Sequence, residues 1–222
     1  MSFIRQILLC LKSPRSSFKS ILEKPSLLKA TVLILGIAVI AAWASYNYAG
    51  KLPLTIIPEQ ERRRLFPGAG GLVSLEQLRQ TLMILNAITG LIGVFGSWLV
   101  SSALIHAFSR VQRGKGSFRS MLTLAGYAST PILIQHLLRL IDSFITTQEE
   151  VLRLTKIQVF SQPLLSAMAN TTINYFSIFR LWSIALLVIA LSENYKISTL
   201  RSIVTVAATY ILMIFLSIFL PL

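Results

Sequence analysis

The stretch Ala30–Ala49, ATVLILGIAVIAAWASYNYA, contains no charged side chain over twenty residues. A bilayer core about 30 Å thick needs about 20 helical residues to cross it. Because no water reaches the backbone inside lipid, such a stretch must satisfy its own N–H and C=O groups as a helix. The stretch therefore predicts a membrane-spanning helix.

Similar apolar stretches recur through the rest of the 222-residue chain, which is 54% hydrophobic and 13% charged. They are Thr81–Phe108, Ser120–Phe144, Tyr175–Leu191 and Ile203–Leu220. We predict an all-α integral membrane protein in which residues 30–222 form one bundle of five transmembrane helices and residues 1–29 form a short amphipathic arm. The longest connections, Gly50–Gln80 and Ile145–Ile173, are too short to bury a core of their own.

The net charge of +13 would suggest nucleic acid as the partner of a soluble protein. In a membrane protein, Lys and Arg instead orient the helices and contact lipid headgroups, so we expect no nucleic acid. The single cysteine, Cys10, excludes an intramolecular disulfide and a cysteine-rich metal site. Phe3–Leu11 is short and interrupted by Arg5, so it does not read as a cleavable signal peptide.

Lys and Arg residues are distributed unequally between the two sides of the predicted bundle. Twelve lie on the side of the N-terminus and seven on the other side, where the cluster Arg62–Arg64 opposes the trend. The positive-inside rule therefore predicts a cytoplasmic N-terminus and an external C-terminus.

The arm has the pattern of two amphipathic helices. One apolar face contains Phe3, Ile4, Ile7, Leu8 and Leu11. Ser13-Pro14 is typical of an N-cap followed by proline at the first helical position, and Pro25 ends the second helix. We expect the arm to lie on anionic headgroups; a partner-binding helix is the alternative. The expected lipid-facing basic residues of the arm and of the connection between the second and third spans are Arg5, Lys12, Arg15, Lys19, Arg110, Arg113 and Lys115.

The third span contains Gly126-Tyr127-Ala128-Ser129-Thr130-Pro131. Pro131 lacks an N–H group and clashes with the carbonyl of Tyr127, so we expect a kink. The small residues Gly126 and Ala128 allow a neighbouring helix to approach closely. A kink of this type is most often a feature of architecture and not a binding site.

The motif Gly-Tyr-Ala-x-x-Pro in a five-span chain of about 200 residues resembles the Yip family of Rab-interacting membrane proteins, and more closely its prokaryotic branch. Pro14-x-x-x-Phe18 followed by Pro25, the basic stretch Arg110–Arg119 and Trp182 are similar to the family as well. The resemblance covers essentially the whole chain.

The resemblance implies a membrane protein whose eukaryotic relatives act in traffic between secretory compartments and contact small GTPases. Those relatives carry an acidic Asp-Leu-Tyr-Gly-Pro motif, which is not found in this sequence, and Phe66-Pro67-Gly68 is no substitute. The resemblance therefore does not extend to GTPase binding, and it favours a prokaryotic plasma membrane.

Ionisable groups inside a membrane are costly and are the first candidates for function. The polar residues predicted in the outer half of the bundle are Asn86, Gln135, Arg139, Asp142 and Arg180. Together they could hold an anion or a lipid headgroup. Alternatively, Arg139 and Asp142 pair within one helix while Arg180 extends to the interface.

No residues combine into a metal, cofactor or catalytic site. The imidazoles of His106 and His136 are expected about 25 Å apart in depth, so they cannot share an ion. Gly90, Gly93 and Gly96 favour close helix packing, within the bundle or in a homo-oligomer. We expect no enzyme, no metal and no cofactor.

Two functions remain open. The first is a non-enzymatic membrane-organising or adaptor protein that binds anionic lipid headgroups, or a membrane or cytosolic protein partner, through its basic face. The second is a small transporter or permease-like protein for an anionic or lipid-like solute, which would use the kinked third span. The absence of a visible repeat lowers the expectation of a transporter.

Overall fold

The computed structural model describes residues 2–52, 54, 74–151 and 177–219. The basic cluster Arg62–Arg64 and the side chains of Arg153 and Lys156, which entered the prediction of topology, lie outside the described residues, as does Phe66-Pro67-Gly68. Within the described part, the long regular elements are helices and no strand occurs, so the predicted all-α class is confirmed.

Eight helices of ten residues or more follow one another along the described chain. They are α1 (Phe3–Lys12), α2 (Pro14–Glu23), α3 (Leu27–Gly50), α4 (Leu75–Val111), α5 (Phe118–Ala128), α6 (Thr130–Ile145), α7 (Ile178–Tyr195) and α8 (Thr199–Phe219). Helix α3 packs against α4, α5 and α6, while α7 packs against α2, α5, α6 and α8.

Four of these helices are long and apolar enough to cross a bilayer: α3, α4, α7 and α8. Their outer surfaces carry large apolar side chains, including Val32, Ile92 and Ile211, each at least half exposed. A surface of this kind suits lipid and not water. The chain is therefore a multi-pass membrane protein. At 37 residues, α4 would be about 55 Å long, which exceeds the thickness of a bilayer core.

The predicted five spans are close to the structure but not exact, because the third span, predicted as one kinked helix, is divided in two. The stretch Ser120–Phe144 is divided into α5 and α6, of 11 and 16 residues, and the division falls at Ser129. The backbone of Ser129 has φ −80° and ψ 2°, so it ends one helix and begins the next. Pro131 follows within the first turn of α6, a position where its missing N–H is tolerated.

The two helices of the arm form as predicted, with Ser13 at the N-cap of α2 and Pro14 at its first position. Their packing differs from the prediction, because part of the apolar face turns toward the bundle. Cys10, Phe18 and Ile21 are buried in the same core as Ile34 and Tyr195. On α1, Ile4 and Leu8 remain 69% and 60% exposed, while the other apolar residues of the predicted face are partly buried.

We refer to the two ends of the bundle by their contents. The arm end contains α1, α2, the turn at residues 112–117 between α4 and α5, and the turn at residues 196–198 between α7 and α8. The far end contains the end of α3, the start of α4 and the end of α6.

Candidate functional site

The break between α5 and α6 leaves carbonyl groups that hydroxyl side chains satisfy. Because Pro131 has no N–H, the carbonyl of Tyr127 loses its helical donor, and the Thr130 hydroxyl donates to it at 2.7 Å. The next carbonyl, of Ala128, accepts from the Ser183 hydroxyl of α7 at 2.8 Å. A broken helix at membrane depth is tolerated when its freed groups are satisfied in this way.

Gly126 allows α5 to lie directly against α3. A Cβ atom at residue 126 would stand 2.8 Å from the Cβ of Ala30 and 3.3 Å from its Cα. Real Cβ atoms do not approach that closely, so any larger residue would force the two helices apart. Ala128, two residues on, is fully buried.

Tyr127 joins the broken helix to the arm. Its hydroxyl donates to Oε1 of Gln6 at 3.1 Å, and its ring meets that of Phe3 edge to face, with centroids 6.3 Å apart. The tyrosine is only 1% exposed. Such edge-to-face pairs stabilise beyond the area that they bury. Near the break, Gly126 thus contacts α3 and Tyr127 contacts α1. Pro131 lies at the break itself.

A second contact holds α2 to the end of α7. Nε of Arg15 lies 2.8 Å from Oε1 of Glu193, and Nζ of Lys196 lies 3.7 Å from the other carboxylate oxygen. Glu193 is 8% exposed, whereas two-thirds of the Arg15 side chain is open. A buried carboxylate needs such partners, because an unpaired one would be strongly destabilising.

The Cys10 thiol lies inside the arm, with Sγ 3.2 Å from the Ser17 hydroxyl. Burial raises the pKa of Cys10 to about 11, although the contact with Ser17 partly opposes the shift. A protonated, buried thiol is poorly nucleophilic. Cys10 therefore acts as a packing residue between α1 and α2.

The basic residues of the arm end point outward. The side chains predicted to face lipid are all exposed: Arg5, Lys12, Arg15, Lys19, Arg110, Arg113 and Lys115. The same surface includes Arg119, Lys196 and Arg201, whereas the carboxylate of Glu193 is buried. The arm and the two turns thus expose many cations at the same end of the bundle, where the arm also exposes one acid, Glu23.

The predicted outer polar residues bind different neighbours. Asn86 donates to the Leu82 carbonyl of its own helix, and Gln135 accepts from Ser177. Asp142 accepts a hydrogen bond from Tyr48, whose ring also lies 5.8 Å from the Arg139 guanidinium.

At the far end, Lys51 and Tyr48 of the first span bind the end of α6, a contact that the sequence did not indicate. Nζ of Lys51 donates to the carbonyls of Ser143 and Thr146 at 2.7 and 2.6 Å, so it caps the C-terminus of α6. Cations favour that end of a helix. Lys51 and Tyr48 end the first span about 90 residues before their partners, so no local pattern could have indicated the contact.

Arg180 lies elsewhere, at a small cavity of about 60 Å³ beside the helix break. The cavity is also lined by His136, Ser97, Ser101, Ser129 and Ser183. Nδ1 of His136 is buried and has no hydrogen-bond partner among the described residues. The other histidine, His106, contacts the Tyr195 hydroxyl at the arm end.

The glycines of α4 have different surroundings. A Cβ at Gly90 would meet Cα of Ala42 at 3.3 Å, so this glycine packs against α3. At Gly93 and Gly96, the space within 4 Å is open. Close packing inside the described bundle therefore involves the first of the three.

Comparison with known proteins agrees with this architecture. Residues 8–220 match the Yip1 domain. An uncharacterized protein of the archaeon Methanocaldococcus jannaschii is 26% identical over 124 residues, which cover 56% of this chain and 78% of that protein. No solved structure matches the chain. Because the domain match spans nearly the whole sequence, including the arm from Leu8 onward and the Gly126–Pro131 motif, the chain belongs to the Yip1 domain family.

Proposed function

We propose that this Yip1 domain protein is a non-enzymatic membrane organiser that gathers anionic lipids, or a partner bearing acidic groups, at a cytoplasmic arm end. One observation carries the proposal: the arm is docked on the bundle with its basic side chains outward, next to the basic turn at 112–117. Exposed Lys and Arg near an anionic leaflet each contribute about 1 kcal/mol of attraction.

The exposed apolar residues of α1 support a membrane surface as the neighbour of the arm. Ile4 and Leu8 lie one turn apart and flank the exposed Arg5. Apolar residues beside basic ones are typical of helices that lie in the headgroup region. The positive-inside bias supports the same orientation, with the arm end toward the cytoplasm. The family resemblance favours the membrane of a prokaryotic cell as the setting.

Energy transfer tests the proposal. The protein is placed in zwitterionic bilayers with a small fraction of dansyl-labelled anionic lipid, and transfer from its tryptophans to dansyl is measured. We expect transfer above that of random mixing, and a fall toward random mixing in the triple variant Arg5→Gln, Lys12→Gln, Lys19→Gln or in high salt. A far-end variant, Arg79→Gln, should leave transfer unchanged. Equal transfer to anionic and zwitterionic labelled lipids would overturn the proposal.

Transport of a small anionic solute is the second candidate, and the cavity beside the helix break favours it. The cavity holds Arg180, His136 and several hydroxyls, but its volume of about 60 Å³ suits a solute of a few atoms and not a lipid. Solute flux through reconstituted protein tests this function. Transport predicts that the combined variant Arg139→Ala, Asp142→Ala, Arg180→Ala abolishes flux, and unchanged cellular function of that variant would exclude it.

A further inference from the structure

A groove opens at the arm end between the turn that follows α4 and the start of α8. Its volume is about 1040 Å³. Its walls come from the end of α4, the 112–117 turn, the end of α7 and the first turns of α8. The groove therefore lies where three of the bilayer-crossing helices meet the aqueous phase, which is the depth of lipid headgroups.

Four cationic side chains line the groove: Arg113, Lys115, Lys196 and Arg201. No acidic side chain is found among its described lining residues. The carboxylate nearest in sequence, Glu193, is buried against Arg15 as well as near Lys196. The groove thus carries a concentrated positive charge, which favours the binding of an anion.

The two turns that carry these cations are fixed to each other. The backbone N–H of Lys115 donates to the carbonyl of Tyr195 at 3.3 Å, and Asn194 donates to the carbonyl of Ser117 at 3.2 Å. Gly116 permits this contact, since a Cβ there would lie 2.7 Å from the Asn194 oxygen. The cations are therefore presented from a preformed support and not from separate mobile loops.

Two of the groove's cations occupy strained backbone positions. Arg113 has φ 62° and Lys196 has φ 56°, in the left-handed region that favours glycine or asparagine. Non-glycine residues in that region cost about 1 kcal/mol or more and cluster at functional sites. Arg113 in one turn and Lys196 in the other contribute positive charge at positions where glycine would relieve the backbone strain.

Most of the remaining wall is apolar. Val111, Leu200 and Val204 line the groove and are 83%, 71% and 56% exposed. The groove thus combines cations with an apolar wall.

We propose that this groove is a specific site for one anionic phospholipid. The phosphate would lie among Arg113, Lys115 and Arg201, and an acyl chain would follow Leu200 and Val204. The apolar wall is the reason to assign a lipid and not free phosphate. This inference rests on the lipid-binding part of the proposed function and assigns that binding to one place.

Native mass spectrometry tests the site. The protein is reconstituted in phosphatidylcholine nanodiscs with a minor fraction of phosphatidylglycerol. It is released from the discs under mild activation, and the lipid that it retains is identified from the mass of the complex. We expect one phosphatidylglycerol per protein. The double variant Arg113→Asn, Arg201→Gln should reduce retention about tenfold, since two contacting cations are lost and asparagine tolerates the left-handed backbone. Its unfolding temperature should match that of the unaltered protein.

The matched comparison is Arg5→Gln, Lys12→Gln, which removes equal charge from the arm and should lower retention much less than the groove variant does. Equal losses in both double variants would overturn the site and leave only a diffuse attraction, which the energy-transfer experiment would still detect. Leu200→Ser should weaken retention, and millimolar inorganic phosphate should not displace the lipid. Displacement by phosphate, or no effect of Leu200→Ser, would contradict a lipid site.

Discussion

The hydroxyl of Tyr127 donates a hydrogen bond to Gln6 at 3.1 Å, across 121 residues of sequence. The tyrosine belongs to the broken third span and the glutamine to the first helix of the arm. The contact therefore joins the Gly126–Pro131 motif to the amphipathic arm. The arm is thereby part of the folded bundle, and its basic surface is held in a fixed place.

Docking of the arm predicts how readily Cys10 reacts. As the chain's single cysteine, and a buried one, it should react slowly with a maleimide in the folded protein. Phe3→Ala removes the ring against Tyr127, and Tyr127→Phe removes the bond to Gln6. Each should speed labelling about fivefold, since about 1 kcal/mol of docking energy is lost.

Ile4→Ala is the matched control on the same helix, because Ile4 is exposed and should leave the labelling rate unchanged. Equal labelling rates in all of these proteins would mean that the arm does not depend on Tyr127.

The raised pKa of Cys10 predicts a pH dependence of stability. Burial raises it from 9.0 to about 11 in the folded protein. Above about pH 9 the unfolded chain loses this proton while the folded chain keeps it, so the free energy of unfolding falls between pH 9 and pH 11. Below pH 9 the thiol contributes no slope. Cys10→Ala should reduce the fall in unfolding temperature over that interval; an identical fall in both proteins would refute the assignment.

The close approach of α5 and α3 predicts the cost of a single methyl group. Gly126→Ala places a Cβ 2.8 Å from that of Ala30, which has no flexible end that could move away. We expect a loss of about 1–3 kcal/mol of stability. Gly96→Ala is the control, because its Cβ would meet nothing within 4 Å and alanine favours a helix. Thermal unfolding in detergent distinguishes them, and equal unfolding temperatures would contradict the packing.

The hydrogen bonds at the helix break predict different roles for two serines of α7. Ser183→Ala leaves the Ala128 carbonyl without its donor and should cost about 1 kcal/mol. Ser192 donates to the Ile189 carbonyl of its own helix at 2.9 Å, so Ser192→Ala should have little effect. Chemical unfolding of both variants is the measurement. If the Ser192 variant were the less stable one, the break would not depend on Ser183.

Hydropathy predicts the spans well because a bilayer imposes length and apolarity locally. The span predicted at Ala30–Ala49 is observed as Leu27–Gly50, and Pro131 correctly indicates that the third span cannot run straight. That the kink is a full break depends on Ser183, 55 residues from the carbonyl that it satisfies, and no local pattern contains that information.

The candidate site is harder to predict from the sequence, because it also depends on contacts between residues that are far apart in the chain. Arg15 and Glu193 are 178 residues apart, and a charge count treats them as unrelated. Basic residues near the ends of spans are readily noted, but the groove exists only because the turn at 112–117 contacts the end of α7. Side-chain contacts between distant elements follow from the packing of the bundle and not from periodicity.

Mass spectrometry of the protein extracted together with its native lipid, without detergent, tests the central claim most directly. The account predicts that an anionic lipid, or a stoichiometric protein partner, is enriched relative to the surrounding membrane and that neutralising Arg5, Lys12 and Lys19 reduces it. Lipids in bulk proportion with no protein partner, together with a small solute that is lost on Arg139→Ala, would contradict it.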